Sequence, residues 1–139
     1  MNVLLTGGSG NLGQTLVPRL LDKGDTPVLL NVRAPASLNE GAVFIEGSVL
    51  DRSNLTEIFR GCDCIVHIAA WHGIHDDRGE KDAYDFFDLN VRGTFEVFEA
   101  AASEEGAMRL WLKRLQCSDE LKRLVPVREP FFPRSDGLE

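Results

Sequence analysis

The chain has 139 residues, about one domain's worth, and its 43% apolar and 27% charged content is that of an ordinary soluble globular protein. With 22 acidic and 15 basic side chains the formal charge is −7, which argues against a general nucleic-acid or anionic-membrane surface. The excess is uneven: residues 1–103 hold 15 acidic and 8 basic side chains, whereas residues 104–139 hold 7 of each, so the chain is expected to change character near residue 104. The three cysteines, Cys62, Cys64 and Cys117, have neither metal-ligand nor redox spacing and read as buried, reduced thiols. No apolar run approaches the roughly 18 residues of a membrane span, and no signal-peptide pattern opens the chain, so a cytoplasmic location is expected.

In chain order, residues 2–6 form a short apolar run stopped by glycines, as in a fully buried strand. Leu12, Leu16, Leu20 and Leu21 then recur at helical spacing up to Gly24, with Pro18 expected to kink the helix. Residues 27–32 and 42–46 read as second and third strands, residues 53–60 as a helix followed by Gly61, and residues 62–70 contain a fourth strand. A long helix is expected from about Glu80 to Glu104, with Phe87, Val91, Thr94, Phe98 and Ala101 as its buried stripe. Residues 107–125 are closer to helical period than to a buried strand, and Pro126, Pro130 and Pro133 mark a loop or tail beyond them. Strands alternating with helices imply an α/β fold, a doubly wound parallel sheet covered on both faces. The expected organisation is a partial domain over 1–104 and a degenerate fifth-strand region with a proline-containing tail over 105–139.

Between the first strand and first helix lies Thr6-Gly7-Gly8-Ser9-Gly10-Asn11-Leu12-Gly13, containing a literal G-x-G-x-x-G at Gly8, Gly10 and Gly13. In that context the pattern predicts a dinucleotide site: glycine lets the backbone approach a pyrophosphate, and the free amides of the helix N-terminus face its charge. Gly13 is expected to serve close packing more than ligand contact. About 20 residues further on, where an acidic side chain would bind the ribose hydroxyls of NAD, this chain has Asn31, with Arg33 two residues beyond. Loss of the repelling charge and gain of a cation tilt the expected cofactor from NAD toward NADP.

Three motifs in order, Thr6-Gly7-x-x-Gly10-x-x-Gly13, Asp63-x-x-x-His67-x-Ala69-Ala70 and Asn90-Val91-x-Gly93-Thr94, resemble those of the extended short-chain dehydrogenase/reductases, the NAD-dependent epimerase/dehydratase family. The resemblance covers about the first 103 residues and implies the cofactor-binding portion of a Rossmann-type domain. It implies that Ala69 and Ala70 run beside the nicotinamide half, that Ser48 and Val49 lie in the adenine-contact turn, with Ser48 where the family usually has an acid, and that Trp71, His72, Gly73 and Ile74 border the nicotinamide or substrate. Asn90 would organise backbone near the active site. The cofactor-binding set is therefore Gly7, Gly8, Ser9, Gly10, Asn11, Leu12, Gly13, Asn31, Arg33, Ser48, Val49, Ala69, Ala70, Trp71 and Asn90. His67, within a buried strand, reads as a satisfied core residue rather than a base. His72, His75, Asp76 and Asp77 have no common metal-site spacing.

Family members use a tyrosine, a lysine four residues later and a nearby serine or threonine for proton transfer. Here the single tyrosine, Tyr84, is followed by Asp88, and no Tyr-x-x-x-Lys occurs, so no catalytic residue is assigned. Residues 113–118, ending at Ser118, lie roughly where the family has its fifth strand and serine, and residues 125–134 resemble the proline-rich segment before its tyrosine. The chain reads as truncated just before that catalytic pair. The expected function is the NAD(P)-binding portion of an enzyme that oxidises, epimerises or dehydrates a sugar-like or other carbonyl/hydroxyl substrate by hydride transfer, with little or no turnover alone. The alternatives are a non-catalytic, redox-sensing NAD(P) module and a non-functional remnant. The substrate is unreadable from these residues, and a homodimer stays open.

Overall fold

Alternation along the strands sends neighbouring side chains to opposite faces of a sheet, so a run that is apolar at every position needs cover on both sides. The computed structural model describes residues 1–72, 79 and 81–102, and the backbone of 103 and 109–112. Strands β1 (Asn2–Thr6), β2 (Thr26–Asn31), β3 (Val43–Glu46), β4 (Cys64–His67) and β5 (Arg109–Leu112) form a parallel sheet in the order β3-β2-β1-β4-β5. Helix α1 (Asn11–Asp22) covers one face, where Val3, Leu5, Leu29 and Cys64 pack with its Val17. Helices α2 (Arg52–Phe59) and α4 (Thr94–Ser103) cover the other, where Leu4, Leu30 and Ile65 meet Leu55, Phe59, Val97 and Ala100. Leu4 and Leu5, adjacent in sequence, thus anchor different cores. Each fully buried leucine or phenylalanine of this kind contributes about 1.5–3 kcal/mol.

The first four strands fall where the apolar runs predict, β2 one residue earlier than expected; Val32, just past its end, is exposed. Pro27 is fully buried in a central strand without breaking it. The Thr26 amide bonds Met1 O on the β1 side, so position 27 turns its missing N–H toward β3, whose pairing begins only at Val28. Helix α1 runs unbroken through Pro18, which lies on its exposed side. Burial, together with the neighbouring Asp63 carboxylate, pushes the Cys62 thiol up, in keeping with unreactive, reduced cysteines at 62 and 64; Cys117 lies outside the described residues.

The long helix is built differently from expectation. It starts at Ala83 under a capping box in which Asp82 accepts from the Asp85 amide and Asp85 from the Asp82 amide. α3 (Ala83–Phe87) then widens into a π-helical stretch, Asp88–Gly93, before α4. Gly93, Val97 and Ala100 are buried; of the expected stripe Thr94 and Ala101 are half-buried, Ala101 against that core, whereas Phe87, Val91 and Phe98 are 57%, 53% and 41% exposed. The stretch read as closer to helical period contributes a strand instead: residues 109–112 pair in register with Cys64–His67. A free parallel edge beside β4 overrides the local period, because unpaired backbone groups next to a buried strand are costly. The tail expected beyond residue 125 lies outside the described residues, and no described helix is long and apolar enough to cross a membrane.

Candidate functional site

Strand order reverses direction between β1 and β4, and ligands of open α/β sheets bind at the C-terminal strand ends beside such a point. A cleft of about 970 Å³ opens there, lined by Gly7, Gly10, Asn11 and Leu12 from the glycine turn, by Asn31, Arg33, Ser48 and Val49 beyond β2 and β3, and by Ala69, Ala70 and Trp71 beyond β4. Most of the residues singled out from sequence therefore share one wall-to-wall space. Gly8, Ser9, Gly13 and Asn90 do not line it.

The glycines have separable jobs. Gly7 adopts φ +74°, and a Cβ there would lie 2.8 Å from Ala69 Cα, so the ends of β1 and β4 can meet only because it is absent. At Gly8 a Cβ would meet Leu29 and the Leu5 carbonyl, and at Gly13 it would sit 2.2 Å from the Gly8 carbonyl. Gly13 thus packs α1 onto the turn itself, rather than onto a strand. Gly10 is the least crowded of the four: a Cβ would press on the Gly7 carbonyl at 3.2 Å and meet nothing else, and φ −76° suits any residue. Gly10 is also the N-cap of α1, with no side-chain cap and no acidic residue in the first turn, so the first amides of the helix lack an intrahelical acceptor beside the cleft. Ser9 Oγ, in the same turn, is buried without a hydrogen-bond partner. Gln14 Nε2 braces the turn by donating to the Gly8 carbonyl at 3.1 Å.

Asn31 ends β2 and donates Nδ2 to the Arg33 carbonyl at 3.2 Å, which folds the strand exit and leaves both side chains on the cleft. Ser48 Oγ accepts from the Leu50 amide at 3.1 Å, holding the turn after β3; Val49, 4% exposed, joins the core beneath. Asn90 has no such freedom. Its Oδ1 accepts from the Trp71 amide at 2.8 Å and its Nδ2 donates to the Trp71 carbonyl at 2.9 Å. It therefore shapes the Trp71 backbone, the organising role the resemblance implies, and does not itself line the cleft.

Several wall residues escaped the sequence reading. Lys81 sits 4.9 Å from the Trp71 ring centre and 3.6 Å from Asp85, and with Asp88 and Leu89 it lines the cleft. The i,i+4 spacing of Lys81 and Asp85 was the available signal; the approach of Trp71, ten residues away, had none. Tyr84 is 81% exposed and does not line the cleft, consistent with its having no catalytic assignment. Gly73, Ile74, His75, Asp76, Asp77 and Ser118 lie outside the described residues.

His67 is a core residue, 4% exposed, between two hydroxyls: Nδ1 is 2.6 Å from Thr6 Oγ1 and Nε2 is 3.0 Å from Thr94 Oγ1. Burial holds its pKa down at about 4, below the ordinary 6.5. Because the unfolded chain binds this proton first, stability is full above about pH 6.5 and falls as pH drops toward 4. Urea unfolding should show a loss of about 2 kcal/mol between pH 7.5 and pH 5, a slope that His67→Gln removes. An unchanged pH slope in that variant would refute this assignment.

Comparison with known proteins agrees with this geometry. Residues 3–118 match the family model described as the NAD dependent epimerase/dehydratase family. The chain is 26% identical over 136 residues to the UDP-glucose 4-epimerase of Streptococcus mutans, covering 93% of this chain and 40% of that protein. It is 31% identical over 99 residues to short-chain dehydrogenase/reductase family 42E member 1 of Xenopus laevis, covering 70% of this chain and 25% of that one. The structure of the Thermus thermophilus UDP-glucose 4-epimerase in complex with NAD aligns with a TM-score of 0.63 at 26% identity, over 73% of this chain and 33% of that chain. The chain thus spans well under half the length of the relatives it matches. With the glycine turn and the Ala69-Ala70 segment on one cleft, its strand order that of a doubly wound sheet and its sequence matched over most of its length, the chain belongs to the NAD dependent epimerase/dehydratase family.

Proposed function

We propose that this chain is the dinucleotide-binding portion of an NAD(P)-dependent epimerase, dehydratase or reductase acting on a sugar-like or other carbonyl/hydroxyl substrate. The observation that carries the reading is the N-terminus of α1, which opens on the cleft through Gly10, Asn11 and Leu12 with no side-chain cap and no acidic residue in its first turn. Gly7, Gly10, Asn11 and Leu12 would hold the pyrophosphate, with the unpartnered Ser9 hydroxyl as a further donor in the turn. Asn31, Arg33, Ser48 and Val49 would take the adenosine half, and Ala69, Ala70 and Trp71 the nicotinamide half. The nicotinamide, when bound, supplies hydride transfer.

These 139 residues contain no Tyr-x-x-x-Lys, and among the described residues the ionisable groups on the cleft wall are Arg33, His72, Lys81, Asp85 and Asp88. That set supports a second reading, a dinucleotide-binding module without turnover of its own. Both readings predict that NAD, NADH, NADP or NADPH at millimolar concentration raises the thermal midpoint, and that Gly10→Ala, whose Cβ would press on the Gly7 carbonyl of the turn, reduces the rise. No shift with any of the four overturns both. Turnover by the chain alone overturns the second reading.

Cofactor choice follows from the strand exit. A neutral Asn31 does not repel a 2′-phosphate, and Arg33 on the same wall offers it a cation, which favours NADP over NAD. Arg33→Ala should erase a larger NADP shift, and equal wild-type shifts would defeat the preference.

A homodimer is supported by the outer face of the long helix. Tyr84, Phe87, Val91, Phe95 and Phe98 are 41–81% exposed, and their spacing reads the same in both directions from Val91. Such a stripe is self-complementary to an antiparallel copy about a two-fold axis at Val91. Sedimentation should find a dimer at micromolar concentration that Phe95→Asp converts to monomer; a monomeric wild type would refute it.

A further inference from the structure

His67 sits in the middle of a hydrogen-bond chain whose direction is determined by its ends. Thr94 Oγ1 donates to the Asn90 carbonyl at 2.7 Å, and a hydroxyl has one proton, so toward His67 Nε2 it can only accept. Nε2 therefore carries the imidazole proton. Nδ1, left as an acceptor, takes the proton of Thr6 Oγ1, which in turn accepts from the Ile68 amide at 3.3 Å. The chain runs from the Ile68 amide, shared between the Thr6 carbonyl at 3.2 Å and Thr6 Oγ1, through Thr6, His67 and Thr94 to the Asn90 carbonyl. Asn90 then continues it by grasping both backbone groups of Trp71.

The position of Asn90 gives the chain its consequence. Asn90 lies within the π-helical stretch Asp88–Gly93, where the backbone departs from the ordinary helical ladder, and a threonine hydroxyl bonded to the carbonyl four residues back is a known way to bend a helix. Thr94 applies that bond, and His67 holds Thr94 in place from the neighbouring strand end. We propose that His67 is a positioning residue: as the Nε2–H tautomer between Thr6 and Thr94, it ties the end of β1 to the wide helical turn and so sets the Trp71 backbone on the cleft wall. Its effect on cofactor affinity rests on the dinucleotide reading above; the tether itself does not.

Two ligand-free measurements on the full chain test the tether. A long-range proton–nitrogen correlation spectrum at neutral pH should show His67 as Nε2–H; the Nδ1–H tautomer overturns the proposal without any variant having to fold. In Thr94→Val the Trp71 amide should exchange with solvent about tenfold faster, the equivalent of about 1.4 kcal/mol for one lost hydrogen bond, while the Leu5 and Ile65 amides keep their rates. Thr94→Ser, which retains the hydroxyl, should restore Trp71 to the wild-type rate. An unchanged Trp71 rate in Thr94→Val, or equal acceleration at all three amides, overturns the proposal. NADH titration adds the functional arm: Kd should rise in Thr94→Val and return in Thr94→Ser. Failure of the wild type to bind any of the four dinucleotides would refute the cofactor reading and leave the tether standing on its own two tests.

Discussion

The approach of Gly7 to Ala69 is the constraint on which the rest of the cleft depends. β1 and β4 are neighbours whose chains leave the sheet in different directions, and a side chain on Gly7 would occupy the space of the Ala69 backbone. Without that side chain the turn can start immediately at the strand end, and its amide reaches across to the Leu30 carbonyl at 2.8 Å. From there Gly8 packs against Leu29, Gly13 packs against Gly8, and α1 begins with its amides facing the cleft. Gly7, Gly8 and Gly13 thus serve the packing of the fold, and the N-terminus of α1 at Gly10 is left facing the cleft.

Two apolar layers make that turn rigid. Because every inner strand is buried on both sides, polar groups within the sheet must be satisfied internally, and among the described residues Thr6 and His67 are the buried polar ones. Their pairing makes the end of the sheet a wired structure rather than a merely greasy one. The same wiring leaves the strand end through Thr94 and Asn90, so the residues that finish the core also shape the wall of the cleft.

The long helix shows how local pattern and tertiary context divide the outcome. Its capping box is visible as Asp82 and Asp85, three residues apart, and its helical character is plain from the apolar spacing. Which face turns inward is not. A strict 3.6-residue reading places Phe87, Val91 and Phe98 inside, but in the fold Gly93 of the wide turn and Val97 and Ala100 of the following helix are the buried ones. Residues 109–112 make the same point for a strand, since four residues without clear alternation take their state from the unpaired edge of β4.

The sequence by itself determined the α/β class, the bounds of the first three strands to within a residue and the run that contains the fourth, and the glycine turn, because each rests on local chemistry: apolar runs, turn residues and backbone freedom. It also identified His67 as a core residue, since an imidazole inside an apolar run is more readily buried than presented. Only the tertiary structure separated the roles of the glycines, named the Trp71 backbone as what Asn90 holds, brought Lys81 to Trp71, and joined Thr6, His67 and Thr94 across 27 and 61 residues of chain. Those outcomes depend on distances between segments far apart in sequence, which residue type and spacing do not encode.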